Sequence, residues 1–381
     1  MIWPQAKLKY VAHLAYGDAL PKDQEREGSF KVFGSNGAYD NYNRSNTHAP
    51  VIIIGRKGSY GKINWSEHPC FASDTTFFID VTTTHHHLRW LFYVLQTLNL
   101  DQGTDEAAVP GLSRDNAYTK TVFLPPLSEQ KAIAHYLDKE TAKIDQLIEA
   151  KKRLLELLDE KRRALITHAV TRGLNPDVPM RDSGVEWIGE IYQKLHRLKY
   201  VALVEMGQSP PSTEYSFLVD SGFPFLQGTA DFGSKYPLPR IYCAIPQKVA
   251  QPEDILFSVR GPVGELNIAD REYGIGRGLC AIRCQKSLNK KFAWWVLHWA
   301  RIQLRFKATG STYEAVSSED VKNLLITLPP LSEQKAIAHY LDKETAKINQ
   351  LSSATMDTIN LLQERRTSLI TAAVTGQLKI S

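Results

Sequence analysis

The sequence predicts two α/β (α+β) domains joined by two long helices that pair as an antiparallel coiled coil, the whole being a pseudo-two-fold repeat. Three observations predict it. The 21 residues LPPLSEQKAIAHYLDKETAKI stand at Leu124–Ile144 and recur unchanged at Leu328–Ile348. A shorter opener, LKYVA, stands at Leu8–Ala12 and again at Leu198–Ala202. Between opener and repeat, each half carries a divergent block with the same order of strand-like and helix-like segments. Self-similarity of this kind marks duplicated architectural units. The expected boundaries are 1–123 for the first domain, 124–179 for the central repeat helix and linker, 180–327 for the second domain, and 328–381 for the C-terminal repeat helix.

In the first domain, Val51–Ile54 and Phe77–Ile79 are short apolar runs that read as buried strands, and His87–Leu100 reads as an apolar helix. The repeat follows. Pro125 and Pro126 cannot continue a preceding helix, Ser128 suits an N-cap, and Glu129 complements the positive helix start. Leu137, Ile144, Leu147, Leu154, Leu158 and Leu165 then follow coiled-coil spacing, interrupted by Lys151 and Lys161. A helix from Ser128 to Thr171 would be roughly 65 Å long. Gly173, Asn175 and Pro176 stop it. In the second domain, Asp254–Val259 and Leu279–Arg283 read as strands and Lys291–Phe306 as the matching helix. In the last helix Leu341, Ile348, Leu351, Leu362 and Leu369 hold the seam, with Ile359 helping, Thr355 weakening it, and Gly376 and Gln377 ending it. Neither helix can bury its stripe alone, so the two are expected to pair. The plainer alternative is that each folds back on its own domain.

Composition narrows the class without naming a function. An apolar fraction of 43% with 23% charged residues is ordinary for a globular protein. No uninterrupted apolar run is long enough for a transmembrane helix. The first residues lack the basic and apolar pattern of a secretory signal. Four scattered cysteines fit a reducing cytoplasm better than a disulfide framework. The net charge of +5 is spread along the chain, which permits nucleic-acid binding without requiring it.

The repeated LPPLSEQKAIAHYLDKETAKI, the central Asp182-Ser183-Gly184-Val185-Glu186-Trp187-Ile188-Gly189-Glu190 and the LKYVA openers together resemble the specificity subunits of type I restriction–modification systems. The resemblance covers nearly the whole chain in order. One departure is that the DSGVEWIGE stretch precedes only the second domain. The resemblance implies that each domain is a target-recognition domain reading one half of a bipartite, asymmetric site in double-stranded DNA. It implies that the helical pair sets the gap and docks modification (methyltransferase) subunits, two of them, through which restriction (motor-nuclease) subunits join. It also implies that S-adenosylmethionine, ATP and magnesium belong to those partners, and that this chain holds no cofactor and performs no catalysis.

DNA reading needs positioned donors, acceptors and planar side chains, with cations for phosphates. In the first domain Ser35, Asn36, Tyr39, Asn41, Tyr42, Asn43 and Arg44 cluster on what reads as a loop. Arg56, Lys57, Ser59, Tyr60 and Lys62 surround two glycines, Gly58 and Gly61, which let backbone approach a phosphate. In the second domain the candidates are Gln208, Ser209, Ser212, Thr213, Gln227, Thr229, Lys235, Tyr236, Arg240, Arg260 and Arg277. Lys307, Thr309, Ser311, Thr312 and Tyr313 form a weaker phosphate-contact group. Each cluster could equally be turn chemistry.

Several patterns invite over-reading. Gly274-x-Gly276-x-Gly278 runs into a strand rather than the helix that a dinucleotide fingerprint needs. Cys280 and Cys284 share one face of a strand and read as buried thiols rather than zinc ligands. His85–His87 read as a polar helix entrance rather than a metal site, Trp294, Trp295 and Trp299 as core, and Lys151–Arg153 as a solvated face. There is no GxxxxGK[ST] loop and no Asn/Asp-Pro-Pro-Tyr/Phe run, so neither an ATP motor nor an adenine methyltransferase is expected within the chain. The alternative function is a non-enzymatic interaction scaffold with two variable binding domains; a stand-alone nuclease or methyltransferase comes third.

Overall fold

Each half of the sequence builds the same framework of strands. The computed structural model describes residues 3–21, 28–102, 111–217, 222–304 and 315–380. They belong to two units, Met1–Arg153 with Thr355–Ser381, and Leu154–Ala354. In the first unit β1 (Gln5–Lys7) pairs antiparallel with β9 (Thr121–Phe123), joining the two ends of the domain. A four-stranded antiparallel sheet has the order β2 (Ala15–Tyr16), β8 (Thr76–Ile79), β5 (Val51–Gly55), β6 (Ile63–Ser66). A second sheet has the order β4 (Gly37–Tyr42), β3 (Phe30–Gly34), β7 (Phe71–Ala72), with β3 and β7 parallel.

The second unit repeats this plan. Here β12 (Leu195–Arg197) pairs with β22 (Leu325–Thr327), as β1 pairs with β9. The sheet β13 (Ala202–Met206), β21 (Leu279–Cys284), β18 (Ile255–Ser258), β19 (Leu266–Ile268) matches the first four-stranded sheet. The strands β16 (Ile241–Cys243), β15 (Phe223–Leu226) and β20 (Tyr273–Ile275) match β4, β3 and β7, again with one parallel pair, and β14 (Tyr215–Ser216) and β17 (Val249–Ala250) extend the edges. A small hairpin, β10 (Arg181–Asp182) with β11 (Glu190–Ile191), encloses the central DSGVEWIGE stretch. Mostly antiparallel sheets place both domains toward the α+β side of the class.

The apolar runs are continuous because both faces of their strands are covered. Along β5, Ile52 and Ile54 face the helices while Val51 and Ile53 pack with Phe33 and Cys70 beneath the second sheet. In β18, Ile255 and Phe257 join the helical core and Leu256 the opposite one. The helix α1 (Leu88–Leu95) is shorter than the apolar run suggests and ends at Gln96; α2 (Arg114–Thr119) follows, capped by Ser113. In the second unit α4 (Lys290–Ala300) is capped by Asn289, and α5 (Ser318–Lys322) by Ser317.

The two long helices are α3 (Leu127–Arg172) and α6 (Leu331–Val374), of 46 and 44 residues. Within the first unit, the start of α3 lies along the end of α6: Ile133, Ala134 and Leu137 share one core with Ile370, Ala373 and Val374, and Arg366 holds Asp145 through Nε at 2.8 Å. Within the second unit, the end of α3 lies along the start of α6: Ile166, Ala169 and Val170 share a core with Ile337, Ala338 and Leu341. The direction is antiparallel in both. Each helix also docks on its own domain through equivalent aspartates. Asp138 accepts from Arg89 Nε at 2.6 Å and from the Tyr93 hydroxyl, and Asp342 accepts from Trp295 Nε1 at 2.9 Å.

Three sequence expectations about these helices need correction. Ser128 lies inside the first turn, because α3 already begins at Leu127. Leu147 and Leu351 are exposed, at 45% and 47%, and do not belong to the seam. The seam runs instead through Leu137, Thr141, Ile144, Ile148 and Leu158, and in the second copy through Leu341, Thr345, Ile348, Thr355 and Ile359. The physical reason is that buried threonines satisfy themselves. Thr141 donates to the Leu137 carbonyl and Thr345 to that of Leu341, so a polar residue holds a seam position at little cost. Leu154, Leu165, Leu362 and Leu369 are half-buried and Lys151 lies in the same stripe, half-buried. Ile148→Ala is therefore expected to cost about 2–4 kcal/mol, and Leu147→Ala about 0.5 kcal/mol or less. Urea unfolding of the two variants separates the registers: equal losses would restore Leu147 to the seam.

Candidate nucleic-acid interface

In the first unit the two polar clusters form one surface. The segment Gly34–Arg44 is a hairpin rather than a loop, with Ser35 and Asn36 at the turn between β3 and β4, and Gly37 in a positive-φ conformation (126°) that glycine adopts readily. The second cluster is the connection between β5 and β6. Lys62 crosses to the hairpin, its Nζ donating to the carbonyl of Asn36 at 2.9 Å and to its side-chain oxygen at 2.8 Å. Asn36, Tyr39, Asn41, Asn43, Arg44, Lys57, Ser59 and Lys62 are exposed. Two candidates are withdrawn. Tyr42 is 1% exposed and packs with Val32 and Phe71 as core. Ser35 is buried, its hydroxyl donating to the Thr75 carbonyl at 2.6 Å. Strand alternation turns Tyr42 inward, a periodicity hidden while the segment reads as a loop, whereas Ser35 is drawn in at the turn by its bond to Thr75. Tyr60 is half-buried against the helical core.

Sequence reading missed the groups behind this surface. Arg56 reaches back to the Asp74 carbonyl at 3.2 Å and lies over the Tyr16 ring, 4.9 Å from its centroid. Arg114 lies over the same ring, also at 4.9 Å. Lys57 approaches Asp74 at 4.0 Å. None of Tyr16, Asp74 and Arg114 sits in a conspicuous local motif; the fold alone gathers them.

In the second unit a cleft of about 680 Å³ is lined by Ser209, Tyr215, Gln227, Thr229, Arg260 and Arg277, among others. It joins candidates from four separate chain segments. The Ser209 hydroxyl accepts from the Arg277 amide at 3.1 Å, and Asp231 accepts from the Gln227 amide at 2.8 Å, fixing the backbone around the opening. Tyr215 stacks on Phe225 with ring centroids 5.4 Å apart. The cleft does not include Gln208, Thr213, Lys235, Tyr236 or Arg240, which are exposed elsewhere; Lys235 lies over the Tyr236 ring. Ser212 begins a short turn, Ser212–Glu214. Lys307, Thr309, Ser311, Thr312 and Tyr313 lie outside the described residues.

Register makes the two surfaces comparable. Gly55 pairs with Thr76 as Ser258 pairs with Leu279, so Lys57 corresponds to Arg260 and Asp74 to Arg277. Lys57 bridges to Gly111, and Arg260 to Ala315, at matching places. One framework thus presents a lysine and a carboxylate in one unit and two guanidiniums in the other. A carboxylate accepts where a guanidinium donates two bonds, so the two could not read the same base edge.

The model of the type I restriction modification DNA specificity domain matches residues 3–157 and 233–361. The chain belongs to this family. Among its relatives, a protein of Methanocaldococcus jannaschii provisionally named the type I restriction enzyme MjaX specificity subunit is 34% identical over 260 residues, covering 68% of this chain and 59% of that protein. The match thus spans well under two thirds of that relative's length. Among solved structures, one from work on the assembly and conformational transition of a type I R-M system superposes with a TM-score of 0.78 at 24% identity, covering 99% of this chain and 98% of that one. The HsdS subunit from Thermoanaerobacter tengcongensis gives 0.52 at 24% identity, covering 99% and 97%. Both likenesses concern the fold.

For a specificity-domain chain, the over-readable motifs have structural places. Burial lowers the pKa of His86 and His87, and His87 caps α1, its Nδ1 accepting from the Trp90 amide. Cys280 is fully buried and Cys284 half-buried, both thiols pushed up to about 12 by burial. A Cβ at Gly278 would meet the Gln227 carbonyl oxygen at 2.4 Å, so the glycine permits a close backbone approach rather than cradling a dinucleotide. Trp299 is buried against Trp187 of the DSGVEWIGE stretch, ring centroids 5.9 Å apart. No described helix is long and apolar enough to cross a membrane.

Proposed function

We propose that this chain is the DNA sequence-specificity subunit of a type I restriction–modification complex. Each target-recognition domain reads one half of a bipartite, asymmetric site. The first does so with the hairpin and the Lys57–Lys62 connection, the second with the cleft around Arg260 and Arg277. The long helices set the gap between half-sites and dock two methyltransferase subunits, through which restriction subunits join. Catalysis resides in those partners, with S-adenosylmethionine, ATP and magnesium bound there, and the assembly works in the cytoplasm.

One observation carries this reading: a duplicated framework presents different hydrogen-bonding groups at corresponding positions, Lys57 and Asp74 against Arg260 and Arg277. Duplication with diverged contact groups is what reading two unrelated half-sites requires. A rigid helical pair can hold such readers at a defined spacing, whereas a flexible linker would blur it. Mapping methylated adenines in the host genome, with and without this gene, tests the proposal. The expected result is one bipartite motif that disappears with the gene. Persistence of every methylated motif after deletion would reject it.

A further inference from the structure

The cationic cluster of the first unit stands apart from its counterpart in the second. Arg56 and Arg114 converge on one ring, Tyr16, which is 47% exposed. Among the described residues, no carboxylate forms an ion pair with either arginine. A guanidinium drawn to an aromatic face by the ring quadrupole is localised there without using up its N–H donors. Arg56 spends one such donor on the Asp74 carbonyl, and that bond also fixes its direction. Ser113 caps α2 with its hydroxyl on the Asn116 amide, so the backbone carrying Arg114 is held as well. Two pre-oriented guanidiniums without a balancing carboxylate suit a phosphodiester better than a base edge. A base edge needs coplanar approach in a groove, whereas a phosphate accepts from several directions.

The second unit lacks this cluster. By register, Tyr16 corresponds to Met206 and Arg56 to Val259, and Arg114, which follows the cap Ser113, corresponds to Ser318, which follows the cap Ser317. None of these three carries charge.

We propose that Tyr16, Arg56 and Arg114 form a backbone-phosphate clamp present in the first unit only. It positions that domain on duplex DNA without contributing to sequence choice. The inference rests on the DNA-binding reading above and adds the ligand group and the unit that holds it. The test uses the full chain, free and with modification subunits. Binding is followed by fluorescence anisotropy against a duplex carrying the mapped site and against a scrambled duplex, across a salt series.

Arg114→Ala is expected to weaken both duplexes by the same factor, several-fold, and to lower the slope of log affinity against log salt by about 1. Arg114→Lys should retain the slope, and Tyr16→Leu should behave like Arg114→Ala while Tyr16→Phe does not. Ser318→Ala, at the matching place in the second unit, should leave both duplexes unaffected. A loss confined to the specific duplex would make Arg114 a base reader and overturn the clamp, as would an unchanged salt slope. Unmodified chain that binds neither duplex, alone or with its partners, would remove the DNA-binding reading itself.

Discussion

Removing one heptad from each long helix, Ile148–Leu154 and Ser352–Thr358, is expected to change the gap between the two half-sites and leave both half-site sequences unaltered. The seam repeats every seven residues, so a matched deletion joins Leu147 to Leu155 and Leu351 to Ile359 and leaves Leu155 and Ile359 four residues after Ile144 and Ile348, in register. Seven residues shorten a helix by about 10 Å and rotate its downstream portion by only about 20°. Both readers keep their surfaces, since neither the hairpin nor the cleft uses these residues. Adenine methylation mapped in cells carrying the shortened chain reads the new gap directly. The same gap in the doubly shortened chain would end the idea that the helices measure distance. Deleting the heptad from only one helix should instead abolish modification, because the antiparallel partners then fall out of step.

Gln334→Leu is expected to cost about 3–5 kcal/mol, among the largest losses from a single polar side chain. Gln334 is fully buried at the start of α6, where its oxygen accepts from the Asn289 amide at 2.7 Å and its nitrogen donates to the carbonyls of Ser287 and Pro329 at 2.9 and 2.8 Å. It fastens the beginning of the long helix to the beginning of α4. Leucine fills the space but strands one amide and two carbonyls. Gln130 does the same in the first unit, accepting from the His87 amide at 2.9 Å and donating to the Pro125 carbonyl at 2.9 Å, so Gln130→Leu should cost a similar amount. Lys335→Ala, next in sequence and exposed, is the control at about 0.5 kcal/mol or less. Urea midpoints that moved equally for Gln334→Leu and Lys335→Ala would show that the tether carries no load.

Gln130 and Gln334 also show why repetition outruns interpretation. They sit in the segment that is identical in both copies, so the sequence marks them as framework. Nothing local distinguishes a buried tether from a solvated helix residue, because the amides that it holds, those of His87 and Asn289, lie over forty residues away. Trp3 has the same character. Its indole donates to Glu129 at 2.8 Å, and a Cβ on Gly376 would lie 3.1 Å from its ring. In the second unit a Cβ on Gly173 would lie 3.1 Å from both Tyr192 and Glu333. Each long helix therefore ends in a positive-φ glycine (φ 74° and 76°) placed against an aromatic ring. The two rings come from unlike sequences, so no repeat search could pair them.

Among the candidate contacts, the loop-like segment 34–44 misled for a definable reason. Gly, Ser, Asn and Asp are turn formers, but a two-residue turn with Gly37 after it also closes a hairpin, and strand alternation then buries Tyr42 while leaving Tyr39 and Asn41 outside. The cleft candidates fared differently. Ser209, Gln227, Thr229, Arg260 and Arg277 stand far apart in sequence and line one opening.

By itself the sequence determined the duplicated plan, the positions of four buried strands, the two long helices to within a residue or two of their ends, and the family resemblance. These follow from composition, period and exact repetition, which are properties of neighbouring residues. Only the tertiary structure decided that Thr141 and Ile148 hold the seam while Leu147 faces outward, that Asp74 corresponds to Arg277, and that Tyr16, Arg56 and Arg114 meet. Those facts depend on which distant backbone groups come within about 3 Å or stack within about 6 Å. Chain folding sets such distances, and spacing along the sequence does not encode them.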